Sequence, residues 1–171
     1  MGRSAEYKTE VISERSPKVY CTWQEVETLV ENLASKIKRS SRKYDVILAI
    51  TNGGIIPARL IAREMNINDI RFILIRNKQL FMKEAYPLSK DKKYLVVDEI
   101  YDTGQTFSKV KHALQDFECD YAFLMRRFDD TGKESDNGIT FIGKILNHDK
   151  WVVFPWELKT LPQDRILFGN F

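Results

Sequence analysis

From Asp45 onward the chain alternates between short unbroken apolar runs and longer segments with an apolar residue every three or four positions. VILAI (Val46 to Ile50), IRFILI (Ile70 to Ile75), YLVVD (Tyr94 to Asp98) and YAFLM (Tyr121 to Met125) are apolar runs of strand length. Such runs predict strands that are covered on both faces. Between them, IIPARLIAREM, with Pro57 near its first turn, and the stretch from about Gln105 to Phe117 carry a helical pattern. Strands separated by helices need crossover connections, so the pattern predicts an α/β fold with a mainly parallel sheet flanked by helices. An earlier helix is predicted where Thr22 and Glu25 form a capping box and Val26, Leu29, Val30, Leu33 and Ile37 recur at helical spacing. ITFIGKIL and WVVF (Trp151 to Phe154) predict later strands whose place in the sheet the pattern leaves open. Residues 1 to about 18 are polar and aperiodic, and read as a loosely ordered arm. NKQLFMKEAYPLSKDKK, residues 77–93, is the longest interior span of weak periodicity, and such a span in a compact domain points to function.

Composition changes this picture little. A chain of 171 residues, 43% hydrophobic and 30% charged, predicts one globular domain over residues 19–171. The net charge of +3 accommodates an anionic substrate without requiring nucleic acid. The basic run KIKRSSRK, Lys36 to Lys43, reads first as a solvated helix end whose cations face the negative pole of the dipole, and second as an RNA contact. Cys21 and Cys119 lie far apart and form no C-x-x-C pair, which suits a reducing compartment and argues against a disulfide framework or a zinc site. With no apolar stretch of membrane-spanning length and no signal-like start, a cytoplasmic place with no membrane partner is expected.

The candidate chemistry gathers after the strands, because ligands in open α/β sheets bind beyond the strands' carboxyl ends. Three segments should meet there: Thr51 to Gly54, Arg76 onward, and Glu99 to Thr106. In the third, Thr103, Gly104 and Thr106 stand at a loop-to-helix junction, where backbone N–H groups, hydroxyls and the helix dipole can hold a phosphate. Neither G-x-x-x-x-G-K-[ST] nor G-x-G-x-x-G occurs. The adjacent acids Asp98 and Glu99 suit either a hydrated Mg²⁺ or the diol of a sugar. A phosphorylated ribose satisfies both halves. Read alone, the acids also fit a solvated turn with Thr103 as a helix cap, or a metal-dependent hydrolase with Asp98, Glu99 and Asp102 as ligands, and Gly53 with Gly54 fits a plain strand-to-helix turn.

The stretch VVDEIYDTGQT resembles the phosphoribosyl-pyrophosphate (PRPP) binding motif of the type I phosphoribosyltransferases: apolar strand, two acids, then Asp-Thr-Gly-x-Thr. ILAITNGGIIPARLIA is similar to that family's pyrophosphate-binding first loop, and WVVFPWE to the base-binding segment of the xanthine-guanine and archaeal 6-oxopurine members. The three matches keep the family's order over roughly residues 45–157.

The resemblance implies the three-layer fold of that family with a small hood over about residues 77–93, including Lys78 and Lys83, and a base-binding segment over about 126–157. It implies Mg²⁺-dependent transfer of the 5-phosphoribosyl group from PRPP to a 6-oxopurine (guanine, xanthine or hypoxanthine), releasing pyrophosphate. Asp102, Thr103, Gly104, Gln105 and Thr106 would hold the 5′-phosphate. Asp98 and Glu99 would take the ribose hydroxyls and the metal, with Glu99 nearer the metal. Asn52, Gly53, Gly54 and Arg76 would meet the pyrophosphate, with a cis non-proline peptide at about Asn52–Gly53. Asp102 would accept the purine's N7 proton, Trp151 would stack on the base, and Val152 would meet its edge by its backbone. Arg127 would read the 6-oxo group, where the family usually has lysine. Family members are commonly homodimers or homotetramers. A transferase for another base such as adenine, and a PRPP-sensing RNA-binding regulator, are the alternatives on the same fold.

Overall fold

The computed structural model describes residues 17–76, 79–81, 87–127 and 138–158. In chain order its elements are β1 (Lys18–Tyr20), α1 (Trp23–Arg39), β2 (Val46–Ile50), α2 (Ile55–Met65), β3 (Ile70–Arg76), β4 (Gln79–Phe81), β5 (Lys93–Tyr101), α3 (Gln105–Ala113), β6 (Glu118–Arg127), β7 (Thr140–Leu146) and β8 (Trp151–Val153). They fall into two compact units, one of residues 24–148 and one formed, among described residues, by 17–23 with 149–158.

The larger unit carries a six-stranded sheet in the order β4-β3-β2-β5-β6-β7. All its pairings are parallel except β3 with β4. The apolar runs explain the centre: every residue of β2 is buried, as are Tyr94 to Val97 of β5 and Cys119 to Arg126 of β6. A strand's side chains alternate between faces. Val46, Leu48 and Ile50 join Tyr94, Val96, Tyr121 and Phe123 in one cluster with Val110 and Leu114 at the end of α3. The intervening Ile47, Ala49, Leu95 and Val97 serve the other face, where α2 packs on β2, β3 and β5. α1 buries Val26, Leu29, Val30, Leu33, Ala34 and Ile37, the stripe expected from the helical spacing. The result is the mainly parallel sheet flanked by helices that the alternating pattern predicts.

Four elements differ from the sequence expectation. β5 continues past Asp98 to Tyr101, because its ladder with β6 persists through Ile100↔Met125 and Tyr101↔Arg126. Asp98 therefore stands on the strand as expected, and Glu99, expected to open the loop, stands on the strand end with it. α3 stops at Ala113 instead of Phe117: Leu114 leaves the helical region, and turn bonds from Gln115 to His112 and from Phe117 to Leu114 replace the ladder. That turn lets the Phe117 ring meet Tyr94 edge-on at 6.1 Å. β4 lies inside the span expected to be an irregular hood, while Lys78 and Lys83 fall outside the described residues. β1 begins at Lys18, at the edge of the expected arm, whose residues 1–16 are also outside them.

In the smaller unit β1 and β8 form a parallel pair with Val19 opposite Val152, extended by amide bonds from Trp151 to Pro17 and from Cys21 to Val153, both 2.9 Å. A single 3-10 turn, Pro155–Glu157, follows β8. There Trp156 stacks on Phe154 at 4.8 Å and meets Trp23 at 5.8 Å, so Trp156 is a packing residue.

The β2-to-α2 turn needs glycine at one position for space alone. A Cβ on Gly54 would collide with the Val97 carbonyl of β5 and lie 2.7 Å from the Ile50 carbonyl, both backbone atoms that cannot move aside. Gly54→Ala is expected to destabilise the protein by about 1–3 kcal/mol or more, as overpacking against a rigid neighbour does. Urea unfolding measures this, and an unchanged midpoint would show that the turn can relax.

Candidate functional site

The site lies at the carboxyl edge of the central strands. β2 feeds the turn Thr51 to Gly54, and its peptide Thr51–Asn52 is cis, one bond ahead of the expected Asn52–Gly53. The turn is tied down on both sides. The Thr51 amide donates to the Ile73 carbonyl at 3.0 Å, and the Thr51 hydroxyl accepts from the Ile75 amide at 3.1 Å. The Gly54 amide closes onto Ile50 at 2.8 Å. Asn52 is exposed and Gly53 partly so.

β5 brings its acids against this turn. A Cβ on Gly53 would fall on the Glu99 carboxylate, so the first loop and the second acid are in direct apposition. Asp98 is only partly exposed, and burial pushes its carboxyl up to about 7, outweighing the bond that the Glu99 amide donates to its Oδ1 at 2.9 Å. A carboxylate that desolvation opposes in this way is suited to a cation or a hydroxyl donor.

Beyond Tyr101, Asp102 and Thr103 form the loop that enters α3. Gly104 caps the helix in the left-handed region at φ 77°, where a side chain is disfavoured, and its carbonyl accepts from Ser108 at 2.8 Å. Asp102, Thr103, Gln105 and Thr106 are all exposed around the N-terminus of α3, the geometry of a phosphate cradle. The loop rests on aromatic packing. Tyr101 meets Phe107 at 5.1 Å and Phe123 at 5.4 Å, its hydroxyl lies under Gly104, and the buried Arg126 places its guanidinium carbon 5.0 Å from the Tyr101 ring centre. The sequence reading assigned Tyr101 and Arg126 no role; an aromatic between two acids was the available signal.

Arg127 closes the site. Its Nε donates to Asp102 Oδ1 at 2.6 Å and its Nη1 to the His148 carbonyl at 2.8 Å. The expected reader of a 6-oxo group is thus engaged with the expected proton acceptor. Arg76 is exposed at the end of β3, opposite Gln79. Trp151 and Val152 belong to the smaller unit, Trp151 47% exposed and Val152 buried.

Among the described residues no group of three His, Cys, Asp or Glu side chains is gathered closely enough to hold a metal by itself. In the basic run, Lys36 donates to the Ile142 carbonyl at 2.5 Å and Arg42 pairs with the buried Asp120 at 3.2 Å, so part of its charge is used within the fold. Asp120 also accepts from the Tyr44 hydroxyl and the Ile139 amide, both at 2.6 Å. The cavity of about 450 Å³ at this opposite edge is therefore built round a satisfied structural acid.

The buried acid has a pH signature. The folded-state value of about 7 for Asp98 lies above that of an unfolded aspartate, about 3.9. The folded state therefore holds the extra proton between these values, and Asp98's contribution to stability falls as pH rises through that window. Asp98→Asn is expected to remove this fall and to gain on the wild type by on the order of 1–4 kcal/mol at pH 8 relative to pH 4. Parallel pH–stability curves for the two proteins would contradict the desolvation.

Comparison with known proteins agrees with this geometry. The family model described as "Phosphoribosyl transferase domain" matches residues 19–163. A xanthine-guanine phosphoribosyltransferase of Idiomarina loihiensis is 25% identical over 147 residues, covering 81% of this chain and 86% of its own. A Neisseria gonorrhoeae protein solved with bound ppGpp superposes with a TM-score of 0.69 at 25% identity, covering 84% of this chain and 91% of that one. A purine phosphoribosyltransferase from Pyrococcus horikoshii gives 0.62 at 27% identity, covering 85% and 97%. No helix among the described residues is long and apolar enough to cross a membrane. With the acids, the small-residue loop and the first turn meeting at one sheet edge, the chain belongs to the phosphoribosyl transferase domain family.

Proposed function

We propose that the protein is a purine phosphoribosyltransferase, moving the 5-phosphoribosyl group of PRPP to a 6-oxopurine and releasing pyrophosphate. The observation that carries this is the apposition of the first turn to the strand-end acids, Gly53 against Glu99. A sugar held there would have the turn's amides on its leaving-group side and the small-residue helix start beyond.

In this reading the amides and side chains of Asp102 to Thr106 take the 5′-phosphate at the N-terminus of α3. Asp98 and Glu99 accept hydrogen bonds from the ribose hydroxyls. The raised carboxyl of Asp98 and its neighbour Glu99 fit a divalent cation, whose charge would offset the desolvation of Asp98. Mg²⁺ bound there would supply charge neutralisation for the departing pyrophosphate. The amides of Asn52, Gly53 and Gly54 and the cation of Arg76 meet the leaving group. C–N bond formation passes through a transition state with oxocarbenium character, as in glycoside chemistry. Asp102 takes the proton from N7 as N9 attacks C1′. Trp151, largely exposed, stacks on the base, and the backbone at Val152 meets its edge. Residues 19–171 act as one catalytic domain, as a homodimer or homotetramer in the cytoplasm.

The direct test is pyrophosphate release from PRPP with Mg²⁺ across guanine, xanthine, hypoxanthine, adenine and the pyrimidines. Release with 6-oxopurines is expected. Release with adenine alone would overturn the base, and silence with PRPP still bound would favour a PRPP-sensing regulator. Two substitutions test the assignment of roles. Asp102→Asn is expected to lower kcat by about 10²-fold or more while leaving PRPP affinity within a few-fold, the signature of lost proton transfer. Trp151→Ala is expected to raise KM for the base and spare that for PRPP; an unchanged KM for the base would remove its stacking role.

A further inference from the structure

Arg127 is the last residue of β6, paired in register with Leu146 at the end of β7. Its side chain is 11% exposed, whereas that of Asp102 is 41% exposed. The guanidinium reaches Asp102 Oδ1 through Nε and the His148 carbonyl, two residues beyond β7, through Nη1. One planar group thus joins the loop after β5 to the ends of β6 and β7. The preceding residue does a complementary job: Arg126 lies over Tyr101, beneath the same loop.

We infer that Arg127 is a positioning residue, a clamp that fixes the Asp102 carboxylate and the start of the loop Asp102 to Thr106. The inference rests on the proposed role of Asp102 as proton acceptor, and it moves Arg127 from reading the base to orienting the group that serves it. The physical argument is geometric. An exposed aspartate on a loop has several open rotamers. A charge-assisted bond at 2.6 Å to one carboxylate oxygen, from a donor itself held at a second nitrogen, leaves one orientation and directs Oδ2 to one side. A general base acts only within hydrogen-bond reach of its proton, so the orientation bears on turnover and much less on affinity for the base. Lysine would keep the charge at Asp102 but lacks the second anchoring nitrogen.

The test compares wild type with Arg127→Met and Arg127→Lys in two measurements, backbone amide hydrogen exchange without substrates and initial-rate kinetics. Arg127→Met is expected to speed exchange at Asp102 to Thr106 several-fold, with the amides of β2 unchanged as evidence of an intact fold. It is expected to lower kcat by about tenfold or more with KM for the base within about threefold, and Arg127→Lys to restore part of both. Asp102→Asn combined with Arg127→Met should be no slower than Asp102→Asn alone. Unchanged loop exchange, or a raised KM for 6-oxopurines at constant kcat, would overturn the clamp and return Arg127 to base recognition. If wild type turns over no base, the functional reading fails while the exchange experiment still decides the clamp; if Arg127→Met does not fold, Arg127→Lys decides it by the same two readouts.

Discussion

Everything at the sheet's carboxyl edge depends on how closely the turn after β2 approaches the end of β5. There is no room for a Cβ on Gly54 between the Ile50 and Val97 carbonyls, and a Cβ on Gly53 would strike the Glu99 carboxylate. Glycine at both positions lets the turn lie directly against the end of β5 and the Glu99 carboxylate, with no side chain between them. The buried parallel strands β2 and β5 hold this approach in register, Ala49 beside Val97, immediately before the turn and the acids begin. The apolar core is the frame, and the site is what the chain does as it leaves that frame.

This geometry places opposite demands on neighbouring residues. Asp98 stands where desolvation works against its charge, a cost that a bound cation or sugar hydroxyl can offset. Asp102, four residues on, is exposed and instead holds an arginine. Between them Tyr101 turns into the aromatic cluster of Phe107 and Phe123 and anchors the loop from below. A single run of sequence thus carries one buried acid, one exposed acid and an aromatic between them, which the proposed function assigns to the sugar side, the base side and the spacing of the two.

Much of this was legible in the sequence. The apolar runs located β2, β3, β5 and β6 because buried parallel strands need apolar side chains on both faces. The stripe from Val26 to Ile37 located α1. The acids, the small-residue loop and the first turn carried the family resemblance. Other features depend on contacts that no local pattern encodes. The extension of β5 to Tyr101 is set by its ladder with β6, and the early end of α3 by the turn that seats Phe117 on Tyr94. β1 is three residues long and exposed throughout, with no alternation to betray it. The Arg127–Asp102 pair joins residues 25 apart in sequence, and only the register of β5 on β6 makes them neighbours.

The central claim is that PRPP binds at this edge, bridging the turn after β2 and the loop before α3. Titrating PRPP with Mg²⁺ into ¹⁵N-labelled protein, and following the backbone amide resonances, tests it most directly. The account predicts that the largest shifts fall at Asn52 to Gly54, Asp98 to Glu99 and Asp102 to Thr106. Shifts confined to the opposite edge of the sheet, around Tyr44, Lys93 and Asp120, would contradict it.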